Sequence, residues 1–165
     1  MKLRPLRMRD AWFCWKLAND PSVREVSTDQ RMPTLLGHLK WMRKWTSRHP
    51  DVRAMVVLDG GVRAGLVRGE RDRGLLYRDS LGVLVGIAIC NGHRGRGLGV
   101  LAIREGTDLL MNALGCEGAF AKIRPRNTAS IKAFREAGYV YMEVQRSRPR
   151  MLVFVKETSL METAR

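Results

Sequence analysis

The stretch Gly86-Ile87-Ala88-Ile89-Cys90-Asn91-Gly92-His93-Arg94-Gly95-Arg96-Gly97-Leu98-Gly99 combines an apolar strand, a basic glycine-spaced turn and the start of a helix. Glycines at alternate positions, Gly95, Gly97 and Gly99, admit dihedrals that a side chain forbids and let the main chain approach a ligand closely. A helix beginning just beyond them presents unpaired N–H groups and the positive end of its dipole. Arg94 and Arg96 add full charges. The chemistry is that of a pyrophosphate cradle running from Arg94 through Gly95, Arg96, Gly97, Leu98 and Gly99 to Val100. It is not a dinucleotide fingerprint, nor a Walker loop, because the Lys-Ser/Thr pair is missing.

A second motif follows at Asn127-Thr128-Ala129-Ser130-Ile131-Lys132-Ala133-Phe134-Arg135-Glu136-Ala137-Gly138-Tyr139. The pair, Arg-x-x-Gly-x-Gly and Asn-x-x-Ser-Ile-x-x-Phe-x-x-x-Gly-Tyr, resembles the GNAT family of acetyl-CoA-dependent N-acetyltransferases over nearly the whole chain. That resemblance implies an α/β (α+β) fold with a mixed, mostly antiparallel sheet of about seven strands flanked by about four helices. It implies acetyl-CoA as co-substrate, with direct attack of a primary amine in a ternary complex. Ile87, Ala88 and Ile89 would form a strand edge that pairs with the pantetheine amides, where one N–H can hold the thioester carbonyl as charge develops. Asn127 would contact the pantetheine arm, a role compatible with capping the following helix.

Acetyl transfer also needs a neutral amine, an acceptor for its proton and a stabilised thiolate. Family members acting on ribosomal proteins carry a glutamate base and a tyrosine acid on either side of the asparagine. Lys122 and Phe134 stand at those positions here, so that pair does not carry over. Tyr139 and His38 are the catalytic candidates, with Tyr141 as a second hydroxyl and His93, Glu25 and Asp79 as further proton acceptors, His93 being better suited to a surface or phosphate role beside the glycine turn. Cys90 reads as a small apolar residue ending a buried strand, not as an acetyl carrier.

The acceptor clue lies in the first third of the chain. Trp15-x-x-x-Asn19-Asp20-Pro21-x-Val23-Arg24-x-x-Ser27, then His38-x-x-Trp41-Met42, resembles a GNAT subgroup acting on amino-sugar nucleotides. Arg24, Ser27, His38 and Trp41 would then line the acceptor pocket, with Trp41 stacking on a base or sugar face. Trp12, Trp15 and Trp45 read as core.

The 165-residue chain fits a single acetyltransferase domain over 1–165. The absence of a membrane-length apolar run or a signal-peptide core points to a cytoplasmic protein without membrane contact. Cys14, Cys90 and Cys116 suit a reducing compartment, and their spacing offers no metal site. A net charge of +14 favours phosphate-bearing partners. It leaves open a nucleic-acid partner or simply a solvated basic surface. Alternative readings keep the chemistry but place the amine on a nucleic-acid base or a protein, or make the chain an inactive cofactor- or nucleic-acid-binding module. The terminal hairpin is a candidate surface for a homodimer.

The elements that must position these residues follow from periodicity and capping signals. Met1–Arg7 reads as a strand, and Asp10 caps a helix to Asn19. Residues 23–31 form a polar loop, and Thr34 caps a helix over 35–47 with apolar positions at Leu36, Leu39, Trp41, Met42 and Trp45. Val52–Leu58 and Val62–Arg68 form a hairpin, followed by a charged loop over 69–73. Leu81–Ile89 reads as a strand covered on both faces. A helix over 98–114 has Leu101, Ile103, Leu109 and Leu110 among its apolar positions, and Gly115 stops it. A strand over 119–124, a helix from Asn127 to Ala137, a final hairpin and a polar tail complete the chain.

Overall fold

The computed structural model describes residues 1–47, 49–77, 80–145 and 150–157. Strands β1 (Lys2–Pro5), β2 (Val52–Asp59), β3 (Val62–Tyr77), β4 (Ser80–Ile89), β5 (Gly118–Ile123), β6 (Val140–Gln145) and β7 (Met151–Glu157) form one seven-stranded sheet. Their order is β1-β2-β3-β4-β5-β7-β6. Only the β4–β5 pair is parallel. The expected final hairpin is present, with β7 lying inside it against β5 and β6 at the edge. Residues 146–149 of its connection and the tail over 158–165 lie outside the described residues.

Helices cover both faces. α4 (Leu98–Leu114) and α5 (Thr128–Glu136) pack Ile103, Leu110, Met111 and Phe134 onto Val67, Val83 and Val85. On the opposite face, α1 (Ala11–Asn19) and α3 (Leu35–Thr46) pack Cys14, Met42 and Trp45 onto Val52, Ala54 and Val56. Burying each large side chain contributes about 1.5–3 kcal/mol. Alternation along β3 therefore sends Val67 toward α4 and Leu66 and Arg68 toward α3.

Local signals explain most boundaries. The Thr34 hydroxyl accepts from the Gly37 N–H at 3.1 Å and starts α3. Gly115, at φ +61°, adopts the left-handed conformation that ends α4. The seam of α3 is His38, Met42 and Trp45, whereas Leu36 and Leu39 point to solvent. Leu101 and Leu109 of α4 are likewise exposed, as is Trp12, which stacks on Trp15 instead of entering the core.

Three local readings are corrected. Part of the expected loop over 23–31 is helical, as α2 (Pro21–Val26). The Asp20 carboxylate accepts from the Ser22 N–H at 2.9 Å, and Pro21 occupies the first turn. Asp10 makes no cap bond to α1. Its buried carboxylate instead takes two hydrogen bonds from Arg4, at 2.8 and 2.7 Å, and one from the Arg7 N–H at 3.0 Å. The Arg4 hydrogen bond holds Asp10 below its usual pKa. Residues 69–73 are strand rather than loop, because β2 pairs with β3 as far as Glu70 and β4 as far as Asp72, and their charges find partners. Arg71 meets Asp51 at 3.4 Å and Asp72 meets Lys122 at 3.1 Å.

Candidate active site

β4 is paired along its whole length with β3, out to Ile89 opposite Gly65. Its other edge meets β5 only at Val83 with Ala119 and Leu84 with Phe120. Beyond Leu84 the two strands diverge, while β5 continues against β7. The edge at Ile87, Ala88 and Ile89 is therefore free of β5, and it faces a wedge between two parallel strands. Strands covered by helices leave such main-chain groups for a ligand or water to satisfy.

The turn after β4 leads into α4 through Gly95 and Gly97, at φ +77° and +73°. A Cβ at Gly92, Gly95 or Gly97 would meet no atom within 4 Å, so the turn borders open space. Gly97 is the N-cap of α4 and supplies no side chain to it. The Leu101 N–H is bonded to the Gly97 carbonyl at 3.2 Å, leaving the N–H groups of Leu98, Gly99 and Val100 at the helix start. Amides at a helix start beside open space suit a diphosphate.

The arginine side chains of the turn serve neighbours. Arg94 donates to the Ile89 carbonyl at 2.8 Å and to the Ser22 hydroxyl at 2.9 Å. Arg96 and the His93 ring both donate to Asp59, at 2.9 and 3.0 Å, and the His93 hydrogen bond holds the Asp59 carboxyl below its usual range. His93 is thus committed to the loop.

α2 lies across the mouth of the wedge. Its start is held by Arg94 from the end of β4. Its exit is held by Arg124 from the end of β5, which donates to the Ser27 and Thr28 carbonyls at 2.7 and 2.9 Å. The Ser27 hydroxyl donates to the Val23 carbonyl at 2.6 Å, which makes it a cap on α2.

Arg24 of α2 donates to the carbonyls of Asp29 and Arg31, at 2.9 and 3.2 Å. Its Nε is buried without a partner among the described residues. Beneath it, on β3, lies Arg68, which the sequence reading did not single out. The Arg68 guanidinium sits 5.5 Å from the Trp45 ring centroid. Burial, then the charge of Arg24, lower its pKa, against the opposing effect of Glu70. It is nonetheless exposed to solvent. Its guanidinium is thus flanked by Trp45 and Arg24 yet keeps an exposed surface.

The two catalytic candidates occupy other places. Tyr139 is buried, its hydroxyl 2.8 Å from the Thr107 hydroxyl and its ring edge-on to Phe134. Burial raises its pKa, and the hydroxyl is already engaged by Thr107. The Nε2–H of His38 donates to the Ala11 carbonyl at 2.9 Å, joining α3 to α1. Burial lowers the pKa of that ring. In this structure both side chains join packed elements, Tyr139 to α4 and His38 to α1.

Trp41 is half-buried and stacks on both His38 and Trp45, with centroids 5.7 and 5.1 Å apart. Asn127 caps α5, its side-chain oxygen accepting from the Ser130 N–H at 3.1 Å. Burial raises the Cys90 thiol, which argues against a ready thiolate. Glu25 is exposed, and Asp79 lies outside the described residues. Among the described residues no cluster of His, Cys, Asp and Glu could hold a metal ion. No helix among them is long and apolar enough to cross a membrane.

Comparison with known proteins decides the family. Residues 1–140 match the model of the acetyltransferase (GNAT) domain. The chain belongs to the GNAT acetyltransferase family. As a GNAT acetyltransferase it uses acetyl-CoA as its acetyl donor. Among solved structures, aminoglycoside acetyltransferase AAC(6')-Ib bound to ribostamycin and coenzyme A superposes with a TM-score of 0.82 at 16% identity, covering 99% of this chain and 97% of that one. Mycobacterium smegmatis RimJ, in complex with CoA-disulfide, gives 0.79 at 17%, covering 98% and 84%. Vibrio cholerae spermidine N-acetyltransferase, with CoA and spermine, gives 0.78 at 17%, covering 94% of each chain. At these identities the likeness is one of fold. No curated protein matches the sequence.

Proposed function

We propose that this GNAT acetyltransferase moves acetyl from acetyl-CoA to a primary amine on a small molecule, by direct attack in a ternary complex. The observation that carries the reading is the divergence of β4 from β5 beside the open glycine turn at the start of α4. In this reading the main-chain amides of Gly95 to Val100 grip the diphosphate. The free edge at Ile87, Ala88 and Ile89 aligns the pantetheine arm, and Asn127 touches that arm while capping α5. One N–H of the β4 edge stabilises the carbonyl oxygen as charge develops on it.

The amine enters beneath α2, past Arg24 and Trp41. Lys122 pairs with Asp72 and Phe134 is core, so neither replaces the acid and base that some relatives use. We assign the departing proton to cleft water. Holding the reactants in register contributes on the order of 7–11 kcal/mol.

Among small-molecule amines we favour one on a nucleotide-linked sugar. The support is the tryptophan and arginine pattern of the first third of the chain. The structural neighbours' named ligands are instead an aminoglycoside and a polyamine. The test is thiol release from acetyl-CoA with a sugar-nucleotide amine, kanamycin and spermidine in parallel. Fastest release with the first supports the reading, and no release with any amine removes it.

The charge of +14 favours a second reading, an amine on nucleic acid. Binding to single-stranded DNA that weakens steeply with salt would support it.

A further inference from the structure

We propose that the acceptor carries an anionic group, carboxylate or phosphate, and that Arg68, on β3 beside the free edge of β4, holds it. The inference rests on the acetyltransferase reading above and adds the chemistry of the molecule acetylated.

Arg68 is placed like a ligand-binding side chain. It stands between Ala54 on β2 and Gly86 on β4, small cross-strand neighbours that leave space above the sheet. The side chain leans over Gly86: a Cβ there would lie 3.3 Å from the Arg68 Nε and 3.9 Å from its Cζ. Gly86 immediately precedes the free edge of β4, so the guanidinium lies over the strand along which the acetyl donor is aligned. Trp45 packs against the guanidinium and fixes its position.

Among the described residues, this guanidinium has no hydrogen-bond or ion-pair partner. A planar fork of donors so placed matches a carboxylate or phosphate. The nearest acid along the strand, Glu70, is held by Lys44 at 2.6 Å. Arg24 adds a second cation close enough to oppose the charge on Arg68. Its buried, unpartnered Nε is a further donor. The charges of the two arginines repel each other until an anion enters. A polycationic amine would meet that repulsion instead.

The test compares amines of similar length: propylamine, β-alanine and 2-aminoethyl phosphate, with spermidine as the polycation. Wild type should favour one or both anionic amines over propylamine by about 10- to 100-fold in kcat/KM. The better of the two tells carboxylate from phosphate. Arg68→Gln should erase the advantage, mainly through KM, and Arg68→Lys should restore part of it. Equal or better use of propylamine or spermidine overturns the inference. So does an Arg68→Gln variant that slows all amines alike.

If none of these amines reacts, inorganic phosphate is titrated into coenzyme A-saturated protein and tryptophan fluorescence is read. A response in wild type that Arg68→Gln lacks supports the anion site, and no response, or the same response in both, overturns it. Failure to bind coenzyme A at all overturns the acetyltransferase reading itself. Coenzyme A binding with a preference for spermidine overturns only the acceptor chemistry.

Discussion

Arg94 of the glycine turn donates a 2.9 Å hydrogen bond to the Ser22 hydroxyl at the start of α2, and its Nε holds the Ile89 carbonyl at 2.8 Å. One side chain thus links the turn that would bind the cofactor to the helix proposed to cover the acceptor. Ser22→Ala removes the link and leaves the main-chain cradle intact. We expect KM for the best amine to rise about 3- to 10-fold, the value of one hydrogen bond. Affinity for acetyl-CoA, read by calorimetry, should stay unchanged. Loss of both affinities together would mean that Ser22 supports the cradle itself.

Tyr139 offers a test that separates catalysis from packing. Tyr139→Phe removes its 2.8 Å bond to Thr107 and keeps the ring against Phe134. The expected outcome is a loss of about 1 kcal/mol in denaturant unfolding, with kcat unchanged. A general acid would instead lose about 10²- to 10⁴-fold in rate. A loss of that size would return Tyr139 to the mechanism.

His38 makes stability depend on pH. Burial holds its folded pKa below the ordinary 6.5, so the unfolded chain takes up a proton more readily. Its contribution is therefore fully present above pH 6.5. It declines as the pH falls from there toward the folded pKa. Thermal melts at pH 8 and pH 5.5 should show a smaller Tm loss for His38→Gln, whose amide can still donate to the Ala11 carbonyl. Equal losses in the two proteins would contradict this assignment.

What the sequence made legible was local. The glycine turn, the cap at Thr34, the stop at Gly115 and the Asn127-led helix each announce themselves within a few residues, because caps and left-handed positions depend on short-range sterics. α2 escaped because Pro21–Val26 is too short to display a helical period. The strand over 69–73 escaped because its charges resemble a loop until β2 and β4 pair with it. Arg68 was invisible for a related reason. Nothing beside it in the chain marks it, and its setting is made by Ala54 and Gly86, brought in by strand register. Tyr139 and His38 present the opposite case. Their residue types suit catalysis, but their partners, Thr107 and the Ala11 carbonyl, come from other helices.

The account depends first on the turn from Gly95 to Val100, and an acetyl-CoA titration of wild type and Gly97→Glu by calorimetry tests it most directly. Gly97 lies at φ +73° beside open space. A glutamate there pays about 1–3 kcal/mol of backbone strain and sets a negative charge where the diphosphate should rest. The prediction is a single saturable site in wild type and no measurable heat in the variant, whose circular dichroism confirms that it is folded. Wild-type protein that ignores acetyl-CoA, or a Gly97→Glu protein that binds it unchanged, would contradict the account.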